Sequence, residues 1–370
     1  MLTYFTSESV CKGHPDKVCD IIADSILDAA IQKNPYCHNA VEASIKDSTV
    51  FIYGETDTPV DYETIAKETI AEIGYDDDFE VILRVSEQSP EINNAVNKSL
   101  ELRGPKTVSE YDMQGAGDQG IIFGYACNET DQFMPLSISL AHEIAKNLDI
   151  IEDDRILPDG KTQVTVAYRD GKLDHISTIL VSKQHTIDIT YPEISSLVTG
   201  AIMDSIISLG IEKYFTQDTS LIINPSGSFT IGGPRGDSGT TGRKIVVDTY
   251  GGHGRVGGGC FSSKDPTKVD RSAAYYARYV AKNIVANYMA SKCEIQVSYG
   301  IGLANPISVY IDCFNTNTLP MEDIYKYVEH NFDFRPSNIL EELNLRTPIY
   351  KDTACYGHFG NPEYPWEKLK

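Results

Sequence analysis

Basic residues are scarce in this sequence relative to acidic ones. The 370 residues include 32 lysines and arginines against 53 aspartates and glutamates, which gives a formal charge of −21. A negative charge of this size repels nucleic acid and anionic membrane surfaces over most of the molecule. Neither partner is therefore expected, and an anionic substrate requires a local reversal of sign.

Long hydrophobic runs and paired cysteines are also missing from the sequence. No run approaches the roughly 18 apolar residues of a membrane-spanning helix, and residues 1–10 lack the basic and apolar regions of a signal peptide. The eight cysteines are scattered without a C-x-x-C pair, so neither a zinc site nor a redox motif is indicated. We therefore predict a cytoplasmic protein whose thiols are buried.

The remaining composition, 41 % hydrophobic and 23 % charged, is that of a globular protein with two or three domains. Apolar residues three or four apart predict helices near 15–33, 61–74, 134–149, 191–210, 268–290 and 320–330. β-Branched or alternating segments predict strands near 40–46, 49–55, 79–85, 119–126, 162–182 with a hairpin turn at Asp170-Gly171, 219–224, 243–249, 293–300 and 307–314. Because strands arrive in pairs between single helices, the predicted fold class is α+β, not a Rossmann alternation.

A weak internal repeat indicates how the chain is divided. The sequence GDQG at 117–120 returns as GDSG at 236–239, each time before a predicted strand, although four matching residues also arise by chance. The spacing of 119 residues is close to a third of the chain. The predicted domains are 1–100, 112–229 and 230–370. Residues 89–114 show no helical or strand period, which predicts a lid or a disordered insertion.

The densest functional signal lies between Asn224 and Arg278, where glycines and basic residues are concentrated. Residues 243–278 carry seven basic and three acidic side chains, so this segment is positive within a negative chain. Glycine N–H groups approach a bound anion closely, and basic side chains neutralise it. The pattern favours polyphosphate binding over an ordinary solvated loop, although no Walker A sequence occurs.

A second candidate site opens the first predicted helix with the sequence GHPDK at 13–17. A helix N-terminus suits a phosphate near His14 and Lys17, with Asp16 as a magnesium ligand. Simple capping by Asp16, with His14 on the surface, is the alternative. Glu42 and Glu55 lie on adjacent predicted strands, where exposed carboxylates are common, so the residues alone indicate solvated side chains. Asp118 and Asp237 stand in G-D-x-G sequences, for which turn formation is the ordinary explanation and binding of an amine or metal is the alternative.

Taken together, these motifs resemble one family, the S-adenosylmethionine synthetases (methionine adenosyltransferases). The resemblance covers nearly the whole chain through FTSESV at 5–10, GHPDK at 13–17, GAGDQG at 115–120, GGPRGDSGTTGRK at 232–244, GGGCFSSKDPTKVDRSAAY at 257–275 and YGHFG at 356–360. It implies transfer of the adenosyl group of ATP to the sulfur of methionine, with the tripolyphosphate cleaved to phosphate and diphosphate. It also implies three similar α+β domains with pseudo-threefold symmetry, and a dimer or tetramer in which two subunits share each active site.

The resemblance also assigns roles to individual residues. By similarity, the catalytic residues are His14, Lys161, Arg243 and Lys264. These four bind ATP together with Asp159, Ser228, Phe229, Asp237, Lys244 and Cys260. Methionine is bound by Glu55, Gln88, Asp118, Asp237 and Lys268, of which Lys268 also holds the phosphates. Two magnesium ions are bound at Asp16 and Asp270, and one potassium ion at Glu42.

Three departures from the family pattern are visible. Cys11 and Lys12 precede the GHPDK motif where acidic or small residues are frequent, Cys260 stands where alanine is common, and the stretch from Gln88 to Asp118 is longer than usual. Two other function classes fit the same glycine-rich loops. One is a non-catalytic nucleotide-binding subunit, and the other is an ATP-dependent kinase, which releases ADP.

Overall fold

The computed structural model describes residues 1–87, 109–112 and 114–370. Gln88 and residues 89–108 of the predicted lid therefore lie outside the described residues. Within the described ranges, no helix is long and apolar enough to cross a bilayer. All eight cysteines are free thiols, and six of them are buried.

The strands form three sheets. The first has the order β1-β6-β7-β8, with β1 at Leu2–Val10, β6 at Ile156–Arg169, β7 at Lys172–His185 and β8 at Ser220–Ile223. The second has the order β4-β3-β2-β9, with β2 at Asn39–Lys46, β3 at Thr49–Thr56, β4 at Glu80–Ser86 and β9 at Gly239–Thr240. The third has the order β11-β10-β5, with β5 at Gly120–Cys127, β10 at Lys292–Tyr299 and β11 at Ser308–Asp312.

Each sheet contains one strand that comes from a different predicted domain than its other strands. The N-terminal strand β1 pairs with β6, the middle strand β5 pairs with β10, and the late strand β9 pairs with β2. These exchanges link the three layers in a closed cycle, so that distant motifs meet where the layers join. The domain boundaries near 100–112 and 229–230 stay a prediction.

The helices cover one face of each sheet. Their bounds are Pro15–Lys33 (α1), Tyr62–Ile73 (α2), Leu136–Leu148 (α3), Tyr191–Ser208 (α4), Gly233–Gly236 (α5), Ile245–Asp248 (α6), Val269–Ala286 (α7), Met321–Asn331 (α8), Pro336–Glu342 (α9) and Tyr350–Thr353 (α10). Pro15 occupies the first turn of α1, where its missing N–H costs nothing, and Asn34 ends the helix. Short 3₁₀ turns cover Glu110–Asp112, Glu212–Tyr214 and Pro365–Glu367.

Three apolar clusters hold helices against sheets. Helices α3 and α4 pack on the first sheet, α1 and α2 on the second, and α7 on the third, through buried residues such as Ile144, Val164, Ile202, Ile22, Ile52, Ile70, Val280 and Ile295. Burial of this apolar surface is the main stabilising contribution. The arrangement confirms the predicted α+β class.

Strand β9 and the short helices α5, α9 and α10 are not predicted from the sequence, and two further features differ from the sequence-based expectations. The strand predicted at 243–249 is wrong, because Ile245–Asp248 forms the short helix α6, and Asp248 pairs there with the buried ammonium of Lys17. This tertiary contact outweighs the intrinsic preference of the β-branched residues of α6 for strands. Strand β1 was not predicted, because its inward residues Ser7 and Ser9 are polar and bond to Ser137 and His142.

Candidate active site

The start of α1 meets the glycine-rich loop at 237–244. Buried Asp16 accepts the Thr240 N–H at Oδ1 over 3.0 Å and the Lys244 ammonium at Oδ2 over 2.5 Å. Arg243 Nε lies 3.4 Å from Oδ1. Burial opposes ionisation of Asp16, but the hydrogen bonds from Lys244 and Thr240 outweigh it and lower the pKa. Asp16 is therefore an anion held between two cations.

His14 caps the same helix. Its Nδ1 accepts the N–H of Asp16 over 3.2 Å, so the cap is His14 and not Asp16. Burial, together with the positive charges of Lys244 and Lys161, lowers the pKa of His14 from 6.5 to about 4. The ring is uncharged at neutral pH, and because Nδ1 is the acceptor, the proton resides on Nε2.

We expect His14 to titrate near pH 4 instead of pH 6.5. Because the unfolded chain takes up this proton first, the contribution of His14 to the free energy of unfolding falls as the pH decreases from 6.5 to about 4. Long-range nitrogen NMR spectra across this range measure the pKa, and a His14→Gln variant assigns the signal. A midpoint above pH 6 for His14 would contradict this environment.

Lys161 projects from β6 beside the neighbouring strand. Its ammonium lies 2.9 Å from the Glu8 carboxylate, and both side chains are partly exposed. This ion pair places Glu8 beside the candidate site, although the sequence, in which β1 is not predicted, does not single it out. The alternation within FTSESV was the available signal, since it places Glu8 on the face opposite to the buried Ser7 and Ser9.

The second half of the site lies in the loop 257–270. The Lys264 ammonium pairs with the carboxylate of Asp270, in the first turn of α7. A Cβ atom at Gly259 would lie 2.6 Å from Lys264 Nζ, and one at Gly258 would lie 2.7 Å from Asp270 Oδ1. Gly258 and Gly259 thus leave room for the ion pair, whereas Gly257 approaches the Ile121 carbonyl and the Phe123 ring.

Cys260 joins this loop to the loop at 237–244. A Cβ atom at Gly242 would lie 2.4 Å from the Cys260 Cβ, so the two glycine-rich segments are in contact. Burial raises the pKa of the Cys260 thiol, although Lys264 opposes the shift. Its environment therefore disfavours the reactive thiolate form.

The ammonium groups of Lys268 and Lys17 are both bound by neighbouring groups of the protein. Lys268 Nζ donates to the Asp265 carboxylate over 2.5 Å and to the Asn39 carbonyl over 3.1 Å. Lys17 is fully buried between Asp20 and Asp248. The hypothesis that Lys17 meets a phosphate is wrong, because its ammonium faces the interior, where it stabilises these carboxylates.

Three of the residues assigned to ATP lie beside the end of β7. Buried Asp159 accepts the N–H of Gly233 over 2.7 Å, and burial raises its pKa. The backbone of Phe229 bonds to His185 twice: its N–H donates to the ring atom Nε2 over 3.1 Å, and its carbonyl accepts the His185 N–H over 3.0 Å. Ser228 is exposed in the preceding turn.

The carboxylates assigned to methionine and potassium line the open face of the second sheet and two turns. Glu42 lies opposite Tyr53, and Glu55 lies opposite Ala40, which forms a β-bridge with Lys264. Asp118 and Asp237 are exposed, and each accepts the next residue's N–H over 2.7 Å. These are turn-forming contacts, and they leave the second carboxylate oxygen of each residue for a ligand.

Ser263 carries backbone strain beside Lys264. Its φ of 81° lies in the left-handed region that favours glycine. We expect Ser263→Gly to raise the free energy of unfolding by about 1 kcal/mol, measured by urea denaturation. The adjacent Ser262→Gly, without a positive φ, is the control and should be destabilising. A loss of stability in Ser263→Gly would contradict the expected relief of strain.

No group of three potential metal-ligating side chains occurs within residues 1–87, 109–112 and 114–370. Asp16 and Asp270 instead stand singly among cations. A cavity of about 230 Å³ between α3 and residues 352–364 contains none of the residues assigned to the site.

Three family models of known proteins match consecutive parts of the chain. They are described as the N-terminal domain (residues 2–99), central domain (113–229) and C-terminal domain (231–368) of S-adenosylmethionine synthetase. The S-adenosylmethionine synthase of Thermosynechococcus vestitus is 48 % identical over 99 % of this chain and 95 % of its own length. Those of Corynebacterium urealyticum and Clostridium tetani are each 47 % identical, over 99 % and 100 % of this chain and 96 % and 97 % of their own lengths.

Proposed function

Because the chain belongs to the S-adenosylmethionine synthetase family, it forms S-adenosylmethionine from ATP and methionine, and we propose that the surface around Asp16 and Lys264 carries the reaction. The observation that supports this location is a concentration of cations in an acidic chain. Lys244 and Arg243 flank Asp16, and Lys264 pairs with Asp270. A polyphosphate replaces these carboxylates as the partner of the lysines.

The chemistry requires alignment and charge stabilisation. A neutral thioether attacks C5′ of ATP without a general base, and the sulfonium forms as the C5′–O bond breaks. Negative charge then grows on the leaving tripolyphosphate, which Lys161, Arg243 and Lys264 stabilise. Neutral His14 donates its Nε2–H to the bridging oxygen, because its Nδ1 is occupied by the Asp16 N–H. The tripolyphosphate is then hydrolysed to phosphate and diphosphate.

Two magnesium ions and one potassium ion complete the proposal. Asp16 and Asp270 each offer a carboxylate next to cations, and magnesium is commonly held by one or two carboxylates plus substrate phosphates. This donor chemistry fits magnesium, while Glu42 on the open sheet face is assigned to potassium. When bound, magnesium neutralises charge on the phosphate oxygens.

The remaining residues are assigned to the two substrates. ATP contacts are proposed for Asp159, Lys161, Ser228, Phe229, Asp237, Arg243, Lys244 and Cys260. Methionine contacts are proposed for Glu55, Gln88, Asp118, Asp237 and Lys268. The polar groups among them suit the ribose hydroxyls and the charged ends of methionine.

Product analysis tests the proposed function. The protein is incubated with ATP, methionine, magnesium and potassium, and the products are identified by mass spectrometry and phosphate assay. We expect S-adenosylmethionine, phosphate and diphosphate, each dependent on methionine. Release of ADP would indicate a kinase, and absence of turnover by folded protein would indicate a non-catalytic nucleotide-binding subunit.

A dimer or tetramer is the proposed assembly, with each site shared between two subunits. The sheet faces opposite the helices expose apolar side chains, including Phe51 and Ile82 on the second sheet and Ile121 and Tyr310 on the third. Glu55 lies on the same face as Phe51. Covering these faces buries apolar surface beside the methionine ligands.

We expect the chain to sediment at no less than twice its monomer mass of 40.9 kDa at assay concentration. Phe51→Glu should dissociate the assembly and abolish activity, because it places a charge on the covered face. Tyr288→Glu, at an exposed position beyond the end of α7, is the control and should not change the mass. An active monomer in analytical ultracentrifugation would rule out the shared site.

A cytoplasmic location is also part of the proposal. The eight free thiols support it, because secreted proteins commonly oxidise such cysteines to disulfides.

A further inference from the structure

A fully buried arginine lies directly behind the polyphosphate residues. Arg271 follows Asp270, and all five of its N–H donors have acceptors. Two bind the Asp24 carboxylate, each over 2.8 Å, in a bidentate pair. The others bind the Lys264 carbonyl over 3.1 Å, the Thr353 hydroxyl over 3.1 Å and the Tyr275 hydroxyl over 2.9 Å. The guanidinium is therefore fixed in one orientation.

Asp24, the carboxylate partner of Arg271, holds the other side of the loop at 257–270. Asp24 lies on α1, two turns beyond Asp16, and its Oδ1 also accepts the Ser263 N–H over 3.1 Å. The Arg271–Asp24 pair thus holds the backbone on both sides of the Ser263–Lys264 peptide bond. It also ties α1, which carries Asp16, to the start of α7, which carries Asp270.

The left-handed backbone at Ser263 makes this restraint necessary. A residue other than glycine persists at a φ of 81° only when surrounding contacts hold it there. The Asp24 carboxylate and the Arg271 guanidinium supply those contacts at the N–H of Ser263 and the carbonyl of Lys264.

We propose that Arg271 and Asp24 are positioning residues that set the geometry of Lys264 and Asp270 for the polyphosphate. Both side chains are fully buried, so they act through the loop and not by touching substrate. This inference rests on the proposed function of Lys264 and Asp270. Small displacements of such groups weaken binding and slow the reaction.

The same helix provides a matched control. Arg278 lies seven residues after Arg271, is also fully buried, and forms a bidentate pair with Glu367 over 2.9 Å at each contact. Its other donors bind the carbonyls of Tyr125, Phe133 and Gln132. Arg278 therefore resembles Arg271 in burial and bonding, but it contacts none of the residues assigned to the site.

The test compares Arg271→Lys with Arg278→Lys. Lysine keeps the charge but loses the bidentate geometry. Binding of inorganic tripolyphosphate with magnesium is measured by calorimetry well below the unfolding temperatures, together with KM for ATP and kcat. We expect both variants to lose thermal stability, but only Arg271→Lys to bind tripolyphosphate about tenfold more weakly, a change of about 1.4 kcal/mol.

A double variant covers the case in which the lysine variants do not fold. Asp24→Leu with Arg271→Met removes both charges, and apolar replacement of a buried pair is commonly tolerated. It should remain folded while tripolyphosphate binding weakens about tenfold. Binding within twofold of wild type in Arg271→Lys or the double variant, or an equal loss in Arg278→Lys, would overturn the positioning role. Failure of the wild type to bind tripolyphosphate would instead contradict the proposed function.

Discussion

Replacing Lys264 by alanine is expected to slow formation of S-adenosylmethionine about a hundredfold. The ammonium of Lys264 is paired with Asp270 next to Gly259, so it is oriented before the substrate binds. Loss of one preorganised group that stabilises transition-state charge costs about 2.7 kcal/mol in the activation free energy. Single-turnover measurements with saturating ATP and methionine give the rate of adenosyl transfer directly.

Two further lysine variants make this result specific. Lys172→Ala changes an exposed residue of the β6–β7 hairpin and should leave the rate unchanged. Lys268→Ala should also slow the reaction about a hundredfold, and in addition it should lower the free energy of unfolding, because it leaves the buried Asp265 carboxylate without its cation. A near-normal rate in both Lys264→Ala and Lys268→Ala would mean that the polyphosphate binds elsewhere.

Asp16→Asn and Asp270→Asn are expected to raise the magnesium concentration needed for half-maximal activity about tenfold. A carboxylate is the hard, charged ligand that magnesium prefers, whereas a carboxamide is neutral and binds it more weakly. The amide is nearly the same size, so both variants should remain folded. In Asp16→Asn the Oδ1 acceptor for the Thr240 N–H is also retained.

Magnesium titrations of the initial rate measure this effect. Asp323→Asn, an exposed change in the first turn of α8, serves as the control and should give the wild-type titration. Unchanged titrations in both Asp16→Asn and Asp270→Asn would exclude these carboxylates as magnesium ligands.

The sequence predicted the six longest helices and most strands, because their apolar periodicity is local. Helix α1 illustrates this, since Pro15 and Asn34 mark its ends and its apolar residues repeat every three or four positions. Segments that depend on distant partners were not predictable in the same way. In β1 the buried positions are serines whose hydroxyls bond across the sheet layer, and in α6 a buried lysine from α1 stabilises a helical turn of β-branched residues.

Composition by itself determined that this is an acidic protein, and the order of the predicted strands and helices indicated the α+β class. The same sequence predicted a cationic, glycine-rich site. The family assignment followed from motifs that extend over nearly the whole chain. Only the tertiary structure decided which cations face that site, because the direction of a lysine depends on partners far away in sequence. Lys17 and Lys244 both contact carboxylates of α1, yet burial encloses Lys17, whereas Lys244 lies with Asp16 at the helix N-terminus. The exchange of strands among the three sheets brings these distant segments together.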